Sequence, residues 1–190
     1  AAGETFDKAA IILNLGWPGG KAIEKAALKG NANLIDLPRP MIKRKGADFS
    51  FSGLKTALNR KVTKIKLTDK IKADFAASLQ LSITEVIEDR CLNAMEIVRK
   101  KNKNIKSFIL VGGVASNTMI RSNLKQLSLK KGFDFYVPPL SLCTDNAAMI
   151  AWAGIERILK FGIDNVNDYS FNPRPRWPLD PQAKAIGLAK

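Results

Sequence analysis

The stretch SFILVGGVASN, residues 107–117, decides the fold class. Upstream, apolar residues recur at helical spacing, whereas here Phe108 to Val111 form a continuous apolar run of strand length that ends in Gly112-Gly113. Such a run predicts a strand covered on both faces. Residues 117–130 return to helical spacing through Met119, Ile120, Leu124, Leu127 and Leu129. Phe133 to Val137 predict a second strand, stopped by Pro138-Pro139, and residues 145–161 a small-residue helix ending at Gly162. Strand, helix, strand, helix is the order of an α/β layer with parallel strands. Two strands are too few for a sheet, so further strands are expected from sequence upstream or from a partner.

The section before this layer reads as helical. Residues 4–14 place Phe6, Ala9, Ala10 and Leu13 on one stripe, Leu15-Gly16 closes that helix, and GWPGG (16–20) follows as a turn or a binding loop. Lys21 to Lys29 predict a short helix stopped by Gly30-Asn31. Residues 31–52 read as loop, with DFSF (48–51) as a buried strand, Ser52 as a cap and a short helix from Leu54. The longest helix is expected over 70–100, where Phe75, Leu79, Ile83, Val86, Ile87 and Cys91 share a face. At about 1.5 Å per residue it crosses a whole domain. It ends in the basic KKNKNIK (100–106).

Composition excludes whole classes of chemistry. The 190 residues, 46% hydrophobic, suit one ordinary domain or part of a larger one, and they contain no histidine. Ser-His-Asp and Cys-His catalysis and HExxH zinc sites are therefore excluded within the chain. Cys91 and Cys143 have no CxxC spacing, which favours a reducing, cytoplasmic setting. No apolar run is long enough to span a membrane, and the start AAGETFDKAA lacks an initiator methionine and a signal-peptide layout, so the chain reads as cut from something longer. Thirty-one Lys and Arg against 17 Asp and Glu give a net charge of +14, which attracts polyanions, nucleic acid foremost. A lysine-rich solubilising surface has the same composition.

Taken one at a time, the polar motifs leave alternatives open. Glycines at 112–113 let backbone N–H groups approach an anion at a helix start, and equally make a tight turn. Asn117 suits a helix cap or a ligand hydroxyl. Asp145 caps a helix or, beyond the end of the second strand, meets a ligand. Glu4 and Asp7 share one helix face and hold a ribose or sit in solvent. KVTKIKLTDKIK (61–72) is a solvated face or a phosphate-tracking patch, and PRPRWPLD (173–180) a base-stacking segment or a packed tail. Cys91 reads as core, Cys143 as core or a neighbour of the site.

Six motifs in order, GETFDKAA (3–10), GWPGG (16–20), DFSFSGLKT (48–56), VGGVASN (111–117), CTDNAAMIAWAG (143–154) and RPRWPL (174–179), resemble the C-terminal half of the tRNA N6-adenosine threonylcarbamoyltransferase family. The resemblance covers residues 1 to about 179. It implies an α/β fold, the C-terminal portion of the two-lobe ASKHA (actin, sugar kinase, Hsp70) architecture with a helical insertion and a sheet incomplete in this chain. The sections expected are 1–70, mainly helical and nucleotide-contacting; 71–165, the α/β part of the lobe; and 166–190, an irregular basic tail.

The implied reaction transfers threonylcarbamoyl from threonylcarbamoyl-adenylate to N6 of the anticodon-adjacent adenosine of tRNAs that read codons beginning with A. By the same resemblance Asp7, Gly20 and Asn117 contact the adenylate, and Asp145 is one ligand of a divalent metal, iron or alternatively zinc. That metal is shared with two histidines of an HxxxH motif absent here, and a substrate-binding SGGH stretch is absent too. One ligand does not make a metal site, so these residues alone are expected to bind metal weakly and transfer nothing. Expected partners are tRNA, a paralogous ASKHA subunit and a P-loop ATPase subunit, with no membrane. The competing classes are an ASKHA ATPase or kinase fragment and a non-catalytic tRNA-binding module.

Overall fold

The computed structural model describes residues 1–165 and Asn172. It divides into two compact units, 1–145 and 146 onward. In the first, helices α1 (Ala2–Ile12), α2 (Gly19–Ala27) and α3 (Ser52–Val62) precede the 33-residue α4 (Asp69–Lys101). Strand β1 (Ser107–Ile109), helix α5 (Thr118–Lys130) and strand β2 (Asp134–Tyr136) follow. The second unit holds α6 (Ala147–Phe161). The described part is thus mostly helical with a small parallel sheet. No helix among the described residues is long and apolar enough to cross a membrane.

The core forms where apolar stripes of α1 to α5 meet. Phe6, Leu13, Ile23, Leu54, Phe75, Leu79, Ile83 and Leu124 are buried in one cluster, the burial that helical periodicity predicts. The Thr68 hydroxyl accepts from Ile71 N and starts α4, and Arg99 to Lys101 fill its last turn, where cations offset the negative helix end.

Helix α4 also buries polar residues that its apolar pattern does not explain. The segment after α2 runs along α4 in the same direction, joined to it at successive points. Asn31 N donates to Asp74 Oδ1 at 2.7 Å, and Ile35 N to Ser78 Oγ at 3.3 Å. Further on, Arg39 Nε meets Glu85 Oε2 at 2.6 Å, and the carbonyls of Arg44 and Gly46 accept from Arg90 and Asn93. Residues 31–46 lack regular structure, so α4 side chains supply what a helix or sheet ladder otherwise would. The Lys70 ammonium and the Asn31 amide hold the Asp74 carboxyl below its usual range.

The strands differ from expectation. β1 and β2 pair in parallel with Ser107 opposite Asp134 and Ile109 opposite Tyr136, as the strand–helix–strand order requires. Each has only three residues, however, and Ile109 is 63% and Val111 66% exposed. Among the described residues the expected coverage of both faces is therefore not met: the alternate face, with Phe108 and Phe135 stacked at 6.1 Å, is the one that packs on the helices. DFSF forms no strand, and Phe51 rather than Ser52 takes the cap position of α3, without a side-chain cap bond. PRPRWPLD falls outside the described residues.

Candidate functional site

Asp7 sits on α1 where that helix meets the start of α2. Its Oδ1 accepts from Gly19 N at 3.1 Å, an unpaired donor of the first helical turn. The approach is so close that a Cβ on Gly19 would lie 2.4 Å from Asp7 Cα and 2.7 Å from Oδ1. Gly19 is therefore required as glycine by this contact, as Gly16 of the same motif is by its φ of +90°. Gly20, the expected substrate contact, has open space around its missing side chain. Its N–H lies in the same first turn, free of an intrahelical acceptor. Among the described residues no partner holds Asp7 Oδ2. Glu4, its neighbour on the face, is instead paired with Lys8.

The middle of α2 reaches the start of α5, just past the glycine turn. Glu24 Oε1 accepts from Thr118 N at 2.6 Å, so α2 caps the start of α5. Gly112, at φ +87°, turns β1 into a single 3₁₀ turn over Gly113–Ser116, and only then does α5 begin. That positive φ favours glycine on backbone grounds. Asn117 is the cap of α5: its Oδ1 accepts from Ile120 N at 3.1 Å, while its Nδ2 donates to Gln80 Oε1 at 2.9 Å. It is 6% exposed. Helix α2 thus brings Asp7, Gly20 and the Asn117 turn into one network.

The loop bearing Asp145 is fastened to the same turn through Arg121, whose Nε donates to Ala115 O at 2.9 Å and whose Nη2 lies 3.6 Å from Cys143 Sγ. The Cys143 thiol donates to Pro138 and Pro139 carbonyls. Cys143 is buried as an anchor, and Asp145, two residues on, is exposed. The cap of α6 is not Asp145 but Asn146, whose Oδ1 accepts from Met149 N at 3.0 Å. Cap geometry needs the side-chain oxygen over the second or third N–H, which Asn146 reaches at φ −151° and ψ 150°.

The described residues do not make a metal site by themselves. Asp145 offers one carboxylate, and no group of three His, Cys, Asp or Glu side chains among the described residues is placed to hold an ion. Sequence reasoning also missed Gly19, Gln80, Glu24 and Arg121. Their roles depend on residues 12, 37, 94 and 6 or 22 positions away, which no local motif encodes.

A separate cavity of about 820 Å³ opens beside β1, lined by Thr5, Phe51, Cys91, Phe108, Val111 and Val114 among others. None of Asp7, Gly20, Asn117 or Asp145 lines it. Burial pushes the Cys91 thiol up from 9.0 to about 11. Because the folded value lies above the unfolded one, the folded chain retains a proton that the unfolded chain loses. Stability is expected to fall as pH rises from about 9 to about 11. Urea midpoints across that range check this: Cys91→Ala flattens the decline, and an unchanged slope refutes it.

The family model described as TsaD, tRNA N6-adenosine threonylcarbamoyltransferase, matches residues 1–152. Curated relatives of that name include one from Rhodospirillum rubrum, 47% identical over 191 residues, covering 98% of this chain and 52% of the relative. One from Bartonella henselae is 47% identical over 199 residues, covering 100% and 54%. One from Wolbachia pipientis wMel is 46% identical over 178 residues, covering 94% and 51%. The chain spans about half the length of the curated relatives it matches. With the Asp7–Gly19 junction, the Asn117 turn and the Asp145 loop all inside the matched range, the chain belongs to the tRNA N6-adenosine threonylcarbamoyltransferase family.

Proposed function

We propose that the full-length protein transfers threonylcarbamoyl from threonylcarbamoyl-adenylate to N6 of the anticodon-adjacent adenosine of tRNAs reading codons that begin with A. This chain supplies the C-terminal part of its ASKHA fold. The adenosine amine attacks the carbamoyl carbonyl carbon, the bond from that carbon to the phosphate oxygen breaks, and AMP leaves with the electron pair while N6 gives up a proton. The reading is supported above all by the Asp7 carboxylate, fixed by Gly19 N through one oxygen, with no partner for the other among the described residues.

In this reading Asp7 Oδ2 accepts from ribose hydroxyls, and the Gly20 N–H donates to the adenylate. Asn117 holds the glycine turn, and its amide reaches a ligand only after leaving Gln80. Asp145 contributes one carboxylate to a divalent metal, iron or zinc, whose remaining ligands come from outside the described residues. A paralogous ASKHA subunit and a P-loop ATPase act with the full-length protein in the cytoplasm.

Asp7→Asn tests the site because it keeps an oxygen for Gly19 N and removes the charge. Adenylate affinity of the full-length protein is expected to fall about tenfold, the scale of one charged hydrogen bond, with urea stability changed by under about 1 kcal/mol. Unchanged affinity refutes the assignment. The net charge of +14 favours a second reading, a non-catalytic RNA-binding module. Full-length protein that binds tRNA and adenylate yet transfers nothing with its partner subunits present selects that module.

A further inference from the structure

The basic KKNKNIK stretch has no part in the site above. The fold gathers it with a second basic segment, Lys130-Lys131, at the far end of α4. Arg99 reaches across to donate to Lys131 O, and its guanidinium lies 5.0 Å from the Phe133 ring centre. Asp134 N donates to Lys106 O at 2.6 Å, which ties the end of the loop to β2. Seven basic side chains from residues 99–106 and 130–131 therefore gather at the far end of α4, where the acids on the adjoining stretches of α4 and β2 are Glu96 and Asp134. Glu96 is taken by Lys131 at 3.6 Å. Lys100, Lys101, Lys103, Lys106 and Lys130 are exposed and have no ion-pair partner among the described residues.

Helix C-termini attract cations, which accounts for Arg99, Lys100, Lys101 and Lys130. It does not account for Lys103 and Lys106, which lie beyond α4, the second just before β1. Asn102 and Asn104 alternate with the lysines and bring amide donors and acceptors. Asn102 Oδ1 fixes the loop by accepting from Asn104 N at 2.9 Å. Ile105 is the loop's one apolar residue, too little for insertion into a lipid surface. Spaced cations on a fixed loop with interleaved amides suit a phosphodiester backbone.

We propose that the surface formed by residues 99–106 and 130–131 docks the sugar-phosphate backbone of the RNA substrate, a reading that rests on the transfer function above. The test replaces Lys100, Lys101, Lys103 and Lys106 by Gln. Its controls are the same four positions as Arg, and Arg60, Lys61, Lys64 and Lys66 as Gln at the end of α3. Fluorescence anisotropy with an unmodified tRNA transcript is read between about 50 and 200 mM salt. Each lost phosphate contact lowers the slope of log affinity against log salt by about 0.7–0.9, so the slope is expected to fall by about 3. Affinity drops by about tenfold or more, the Arg variant restores it, and the α3 control changes it far less.

Equal loss in the α3 control, or no loss at all, overturns the surface. So does dependence on these lysines for anionic phosphatidylglycerol vesicles but not for tRNA. In the full-length protein, a raised KM for tRNA with kcat retained supports docking here. Lost kcat with normal tRNA binding overturns the surface and leaves the transfer reading intact. Lysine-dependent tRNA binding without any transfer sinks that reading and leaves the surface standing.

Discussion

Gly30→Ala is expected to destabilise the first unit by about 3 kcal/mol, at the upper end of what overpacking a well-filled interface costs. A Cβ there would lie 2.0 Å from the Ala73 carbonyl oxygen, 2.4 Å from its carbon and 2.9 Å from Ala77 Cβ. Two of those atoms are backbone inside α4, which cannot rotate away. Relief requires the end of α2 to lift off α4, and the Asn31 to Asp74 hydrogen bond one residue on goes with it. The urea midpoint measures this, with the denaturant slope unchanged. Gly53→Ala is the matched control: nothing stands within 4 Å, and the helix-propensity gain is about 0.5–1 kcal/mol. Equal midpoints for the two variants would refute the packing argument.

Arg90→Leu has a comparable expected cost by a different route. Arg90 is fully buried, with Nε on Asp89 Oδ2 at 2.8 Å and Nη1 on the carbonyls of Arg44 at 2.8 Å and Gly46 at 3.1 Å. Breaking a buried, hydrogen-bonded ion pair from one side costs about 3–5 kcal/mol. Asn93 Nδ2 also reaches both carbonyls, at 3.1 and 2.9 Å, so the lower end, about 3 kcal/mol, is expected. The loss is local first. Residues 39–46 are released from α4, and trypsin cuts at Lys43, Arg44 and Lys45 at urea concentrations below the global transition. Cleavage there that only follows global unfolding falsifies this role for Arg90.

Both cases mark where sequence reasoning stopped. The span of α4, the start of α5 at Asn117 and the parallel pairing of β1 and β2 were legible because each rests on local periodicity, a cap or connection length. Belonging to the family was legible too, since its six motifs are contiguous words in fixed order, and the family model covers residues 1–152. Asp145 and Asn146 were not separable as caps, because both residue types cap well and only ψ, φ and reach choose between them. Of the two glycines at 19 and 20, sequence cannot say which one faces a neighbouring backbone.

The sequence by itself determined the helices, the strand order and the family, since these depend on residue type, short spacing and motif order; it nominated Asp7, Gly20, Asn117 and Asp145 only through the family resemblance. Tertiary structure alone decided that Asp7 is fixed on Gly19, that Asn117 is held by Gln80 37 residues away, and that residues 31–46 are bound along α4. It also brought Lys100 to Lys106 beside Lys130-Lys131. The physical reason is common to all four: each depends on a partner distant in sequence, and hydrogen bonds, steric contact and charge act through space, whereas periodicity acts along the chain.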